Sequence, residues 1–172
     1  MKRIVLPSAS YRAAFYKMAD EYKGIEDRRY YKEIARDGFD FEEYVGRLHL
    51  YSKGLCLEKG LVPYTTYWLV DSGDAIFGVS RLRHVLNANS RKEGGHIGYD
   101  VPPSSRNAGN ATELLRQTLA KAKGMGIMRA LVTCDASNAA SARVITKNGG
   151  KLENQVISDF TGNVVNRYWV NC

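Results

Sequence analysis

Gly95-His96-Ile97-Gly98-Tyr99-Asp100-Val101-Pro102-Pro103-Ser104-Ser105-Arg106-Asn107-Ala108-Gly109-Asn110-Ala111-Thr112-Glu113-Leu114-Leu115 reads as a strand, a loop and the opening of a helix. Within the loop, Arg106-x-x-Gly109-x-Ala111 places small residues where the helix begins, so main-chain N–H groups stand unscreened at its N-terminus. That arrangement binds anions. Small or apolar residues at positions 111, 114, 115, 118, 119 and 122 share one face at helical spacing, and Gly124 and Gly126 mark its end.

Working outward, a polar loop from Asn87 to Gly95 leads into the strand His96–Val101, and the helix 109–123 is followed by the apolar run Arg129-Ala130-Leu131-Val132-Thr133-Cys134. Strand, helix and strand in that order imply parallel pairing. Upstream, Thr65–Val70 and the run from Ala75 through Val85 flank Asp71-Ser72-Gly73-Asp74, a hairpin signal. Downstream, a helix from Asn138 to Asn148 stops at Gly149-Gly150, and runs around Val156-Ile157 and Val164–Val170 flank Gly162-Asn163 as a last hairpin.

The first sixty residues read differently. Ile4-Val5-Leu6 is a short strand, and Ser8 or Ser10 caps a helix whose stripe is Tyr11, Ala14, Phe15, Met18, Ala19 and Tyr22. A charged connector, Arg28-Arg29-Tyr30-Tyr31, follows, and Asp40-x-x-Glu43 resembles a capping box ahead of Phe41, Tyr44, Val45 and Leu48. These helices are expected to form a lid-like segment.

The chain has 172 residues, of which 44% are hydrophobic and 25% charged, enough for one globular domain with a sizeable core and against disorder. Met1 to Pro7 does not read as a signal peptide, and no run is long enough to span a bilayer, so a soluble, cytoplasmic protein without membrane contact is expected. Cys56, Cys134 and Cys172 are too scattered for a disulfide framework or a zinc site; no metal is expected. The sequon Asn110-Ala111-Thr112 is a chance match without a secretory signal. The net charge of +7 is concentrated in residues 101–151, where eight basic side chains face only Glu113 and Asp135. That excess surrounds the anion loop.

Arg106-Asn107-Ala108-Gly109-Asn110-Ala111, with Asn138-x-x-Ser141 and Lys147-Asn148-Gly149-Gly150 downstream, resembles the GNAT superfamily of acyl-CoA-dependent N-acetyltransferases. Val62–Val70, Arg81-Leu82-Arg83-His84 and Gly95–Tyr99 resemble a bacterial subgroup of predicted acetyltransferases within it. The resemblance implies a mixed α/β fold in one domain spanning 1–172, with a mostly antiparallel sheet splayed at its middle strands and helices on both faces. Residues 1–60 would then be the helical acceptor side and 62–170 the acyl-CoA core.

It further implies acetyl-CoA as cosubstrate, its pantetheine arm paired with the main chain of Tyr99 and Val101 and its pyrophosphate held from Arg106, Asn107, Ala108, Gly109, Asn110 and Ala111. Asn138 and Ser141 would reach the arm from the next helix, although Asn138 serves equally as a plain N-cap. Arg143 or Lys147 would meet the ribose phosphate or lie in solvent.

Acetyl transfer to an amine needs a neutral nucleophile, a polarised thioester carbonyl and a proton for the departing thiolate. Base candidates are His96, then Glu93, then His84; His96 serves equally as a structural strand histidine and Glu93 as a solvated charge. Many members of the family carry tyrosine seven residues beyond the asparagine, where this chain has Ile145, so the acid falls to Tyr99, Tyr67 or solvent. A small-molecule amine is favoured over a protein as acceptor, and the chain is a monomer or a homodimer. Two other classes compete: a non-catalytic acyl-CoA sensor, kept open by Ile145, and a basic nucleic-acid binder, suggested by the charge and eleven tyrosines but lacking any recognition motif.

Overall fold

Among the described residues, apolar alternation and turn chemistry build seven strands: β1 (Arg3–Val5), β2 (Tyr64–Val70), β3 (Ile76–Arg83), β4 (Ile97–Asp100), β5 (Arg129–Asp135), β6 (Lys151–Ile157) and β7 (Val164–Asn171). Between them run helices α1 (Arg12–Asp20), α2 (Arg29–Ile34), α3 (Phe41–Ser52), α4 (Asn110–Gly124) and α5 (Ala139–Lys147). The computed structural model describes residues 1–26 and 29–172. The strands form one sheet in the order β1-β2-β3-β4-β5-β7-β6, antiparallel at every junction except β4 with β5. This is the mixed α/β architecture with a mostly antiparallel sheet that the resemblance implies.

Each face of the sheet carries its own core. On one, α1, α2 and α3 bury Phe15, Tyr22, Tyr30, Phe41 and Tyr44 against Trp68, Val70 and Val79. The Phe15 ring stacks on Trp68 at 5.4 Å between centroids and lies 5.0 Å from Tyr44. On the other, α4 lays Leu115, Leu119 and Ala122 on Leu82, Ile97 and Val132, with Ile145 of α5 beside them. Thr118 is fully buried there because its hydroxyl bonds Ser80 Oγ at 2.7 Å and donates to the Leu114 carbonyl.

Local signals translate directly into geometry. Asp40 Oδ1 accepts from the Glu43 N–H at 2.8 Å to start α3, and Asp71 Oδ1 accepts from the N–H groups of Gly73 and Ala75 to close the β2–β3 turn. Ser8, and not Ser10, is the first cap, accepting from Ser10 N and opening a short tight turn ahead of α1.

Three expectations are corrected. The N-terminal helices are no lid, since Phe15, Phe41 and Trp68 are at most 1% exposed and burial of such rings makes these helices part of the main core. The charged connector becomes α2 from Arg29 onward because Tyr30 is buried against Phe15; Arg28 lies outside the described residues. The polar loop before β4 contains one wide helical turn, Ser90–Gly94, organised by Ser90 and Asn87 bonding each other through side chain and main chain. Cys56, Cys134 and Cys172 are free thiols. No helix among the described residues is long and apolar enough to cross a membrane.

Candidate functional site

The sheet comes apart along the β4–β5 seam. A single residue pair, Ile97 with Val132, is in register, and beyond it Gly98, Tyr99 and Asp100 have no partner on β5. The closed end is riveted by His96, whose N–H donates to the Leu131 carbonyl at 2.6 Å while its Nδ1 accepts from the Leu131 N–H at 2.9 Å. An imidazole thus replaces the main-chain acceptor that would continue the ladder. Just before it, Gly95 has φ +63° and a Cβ there would stand 2.6 Å from the Leu131 oxygen, so only glycine brings the strands this close.

From the open end, β4 runs into Pro102, a tight turn at Pro103–Ser105 and then α4. The N–H groups of the consecutive residues Asn107 to Thr112 find no acceptor among the described residues, and those of Arg106 and Glu113 on either side do. Asn107 at φ +59° and Gly109 at φ +77° turn the chain so that these amides converge, and no atom lies within 4 Å of where a Gly109 Cβ would be. The loop is held from behind. Asn110 is buried, and its Nδ2 donates to the Ser105 carbonyl at 2.7 Å; Arg106 Nε donates to the Val101 carbonyl at 3.2 Å.

Across the open seam, the Tyr99 hydroxyl lies 2.8 Å from Ser141 Oγ and reaches the Ser141 carbonyl at 3.3 Å. Burial pushes the Tyr99 phenol up to about 12, so it holds its proton at neutral pH. Asn138 caps α5, its Oδ1 accepting from the Ser141 N–H at 2.9 Å. Arg143 and Lys147 are exposed on α5. Ile145, where the resemblance leads one to look for tyrosine, is fully buried in the aliphatic core.

The base candidates are not gathered at one point. The His96 ring is held neutral, its pKa lowered by burial and by Arg91 and Arg83, with Nδ1 already used by Leu131. Nε2 of His84 bonds Thr65 Oγ1 at 2.8 Å, and burial lowers that ring's pKa as well. Glu93 lies on the wide turn, where Oε1 accepts from the Asp159 N–H at 3.1 Å and its carbonyl accepts from Thr133 Oγ1. Glu93 lines a cavity of about 310 Å³ with Tyr64, Arg81 and Arg83, and a second cavity of about 410 Å³ shares Tyr64 and Arg81.

Asp100 escaped the sequence reading. Next to Tyr99 but facing the other side of the sheet, its carboxylate accepts from Tyr30 Oη at 2.7 Å, Tyr22 Oη at 3.0 Å and Arg29 at 3.2 Å, with Arg81 at 3.9 Å. Its side chain is 13% exposed. The one signal was an acidic residue inside a predicted strand, where a carboxylate is buried only with partners. Among the described residues no group of three or more His, Cys, Asp or Glu side chains forms a metal site.

A split sheet beside an amide-lined turn is the framework of one class of enzyme. A family model described as an acetyltransferase (GNAT) domain matches residues 14–151, and the chain belongs to that family. Solved structures share its fold at low identity. RimL, a ribosomal L7/L12 alpha-N-protein acetyltransferase in complex with coenzyme A, is 17% identical with a TM-score of 0.69, covering 99% of this chain and 93% of its own. The Microcin C7 self-immunity acetyltransferase MccE, in complex with acetyl-CoA and AMP, gives 15%, 0.70, 99% and 92%. A Vibrio cholerae spermidine N-acetyltransferase in complex with CoA and spermine gives 12%, 0.68, 99% and 95%. No curated protein sequence matches the chain.

Proposed function

We propose that the protein moves an acetyl group from acetyl-CoA to the primary amine of a small molecule, by direct attack in a ternary complex. The observation that carries this reading is the row of unpartnered amides from Asn107 to Ala111, opening from the unpaired end of β4. With Gly109 bare, a diphosphate meets those N–H groups with no side chain in the way. Solved relatives of this fold hold acetyl-CoA or CoA, and their acceptors and ligands range from spermine to AMP, so the fold leaves the acceptor open.

Acetyl-CoA supplies an acyl group activated as a thioester. On the chain's side, Tyr99 and Val101 offer main chain along the seam, and the Val101 N–H, without an acceptor among the described residues, is placed to polarise a carbonyl there. Tyr99 carries its phenolic proton beside Ser141 and delivers it to the thiolate; a thiol of pKa about 8.5 is a good leaving group, so modest acid help suffices. Tyr99 thereby takes the role that Ile145 cannot fill. Asn138 acts by fixing the first turn of α5 and with it Ser141.

To serve as base His96 must give up its bond from Leu131, so we assign it a positioning role at the closed end of the seam. Glu93, with Oε2 unpartnered among the described residues and a cavity wall beside it, is the carboxylate we assign to take the amine proton through water.

Titration with acetyl-CoA tests the reading. Gly109→Glu should weaken binding by at least about a hundredfold, roughly 2.8 kcal/mol, because an anion then stands against the diphosphate. Gly109→Ala, which carries the left-handed strain without the charge, separates backbone cost from repulsion. Unchanged affinity in both variants removes the loop from the site. Acetyl-CoA binding without thiol release by any amine would instead favour the non-catalytic sensor.

A further inference from the structure

On the helical face, a cavity of about 410 Å³ opens between α2, α3 and the sheet. Its charged wall sets the guanidiniums of Arg29, Arg36, Arg47 and Arg81 against the carboxylates of Glu33 and Glu58, with Asp100 beneath. The carboxylates are shared. A single oxygen of Glu33 takes Arg47 at 3.4 Å and Arg36 at 3.7 Å, and a single oxygen of Asp100 takes Arg29 at 3.2 Å and Arg81 at 3.9 Å. Arg47 gives Glu33 one long hydrogen bond and Arg36 only a charge contact, so guanidinium donors on both remain without a partner among the described residues. Glu58, exposed at the rim, has no ion-pair partner among the described residues.

We propose that the amine acceptor carries an anionic group, a carboxylate or a phosphate, seated between Arg47, Arg36 and Arg81. This rests on the acetyltransferase reading and adds to it the chemical class of the acceptor. Guanidinium is suited to planar, two-point recognition of either anion, and here Arg47 is held over the Tyr44 ring and Arg81 over Tyr30. The cavity also lies where an acceptor needs it: Arg81 is the cross-strand partner of Gly98 on β4, one residue before Tyr99. A polycation entering here would meet four guanidiniums, find Glu33 and Asp100 already engaged, and have only Glu58 at the exposed rim to pair with. The same cations disfavour the ammonium form of a bound amine, the form that cannot attack.

Matched four-carbon-scale amines decide between these classes. Thiol release from acetyl-CoA is followed with 4-aminobutyrate, 3-aminopropyl phosphate, n-butylamine and putrescine, and the same compounds are titrated calorimetrically into the CoA-saturated protein. Expected is at least tenfold tighter binding, with higher kcat/KM, for one or both anionic amines; which of them leads tells carboxylate from phosphate. Arg47→Gln should erase that preference and leave acetyl-CoA affinity unchanged, and Arg36→Gln, at a more exposed position, repeats the test should the first variant fold poorly. Equal binding of all compounds, or tighter binding of putrescine, overturns the anionic class even where none is turned over. Loss of acetyl-CoA binding by the wild-type protein would instead strike the acetyltransferase reading itself.

Discussion

The two faces of the sheet are covered by different chemistry. Under α1–α3 the core is aromatic and threaded with hydroxyl and guanidinium groups, Tyr22, Tyr30 and Arg81 meeting at Asp100; under α4 and α5 it is mainly aliphatic, with Tyr67 and Tyr168 among the aliphatic side chains and Thr118 and Ser80 as a paired polar insertion. The division matches the proposed uses. Aromatic rings with polar tips bury large areas and still present hydrogen-bonding groups to a cavity, which suits recognition of a soluble acceptor. Aliphatic side chains fill space densely and offer nothing to water, so they suit a rigid floor beneath the loop whose backbone we propose to bind the cofactor. Asp100 and Tyr99, adjacent on β4, point one to each world.

Removing a ring from the aromatic side is the strongest way to break this comparison. Phe15→Ala deletes a fully buried ring that touches Trp68, Phe41, Tyr44 and Tyr30, and should cost about 3–5 kcal/mol in urea unfolding. A loss below about 1 kcal/mol, the scale of an exposed or collapsible site, would mean that these helices lie loosely on the sheet as a lid does.

How much of this could be read from the sequence depends on how far apart the cooperating residues are. The Gly109 turn, the Asp71 hairpin and the Asn138 cap were legible because every group involved lies within a few residues, where spacing alone fixes geometry. The Asp100 cluster was not: Tyr22 and Tyr30 stand more than sixty residues upstream, and only the folded sheet brings them to one carboxylate. The role of His96 was half legible. Its place at the head of β4 followed from the pattern, but the bond from Leu131, thirty-five positions away, decides what its nitrogen is free to do. α2 was hidden because its one buried residue, Tyr30, sits in a charged run with no stripe to announce it.

A smaller effect sharpens the aliphatic side. Tyr99→Phe keeps the ring packed against the core and removes only the hydroxyl facing Ser141, so stability and acetyl-CoA affinity should hold. kcat should fall by about tenfold to a hundredfold, at or below the usual range for an acid that helps a poor leaving group. Glu93→Gln, on the opposite side of the seam, should lower kcat without moving the acetyl-CoA KM. If Tyr99→Phe keeps full activity while Glu93→Gln does not, solvent protonates the thiolate and only one face contributes chemistry.

The smallest effect belongs to the seam that joins the two faces, and it is a matter of pH. Burial, with Arg91 and Arg83 nearby, holds the His96 imidazole below its ordinary pKa of about 6.5 in the folded protein. As pH falls, the unfolded chain therefore takes the proton first, and the stability that neutral His96 provides, complete above about 6.5, is lost as pH drops through that value toward the folded one. Protonation would also oppose the Leu131 N–H with an Nδ1–H donor. Because the ring is only half buried and solvent screens it, the contribution should be small, and its sign is what the measurement reads. His84, also held neutral by burial, adds a background of the same sign, so the informative quantity is a difference between proteins. His96→Asn, whose side-chain oxygen can accept from Leu131 without titrating, should narrow the drop in Tm between pH 7.5 and pH 5.5 relative to wild type. An equal drop in both proteins would mean that the seam is closed by the Ile97–Val132 pair alone and that the imidazole is incidental to it.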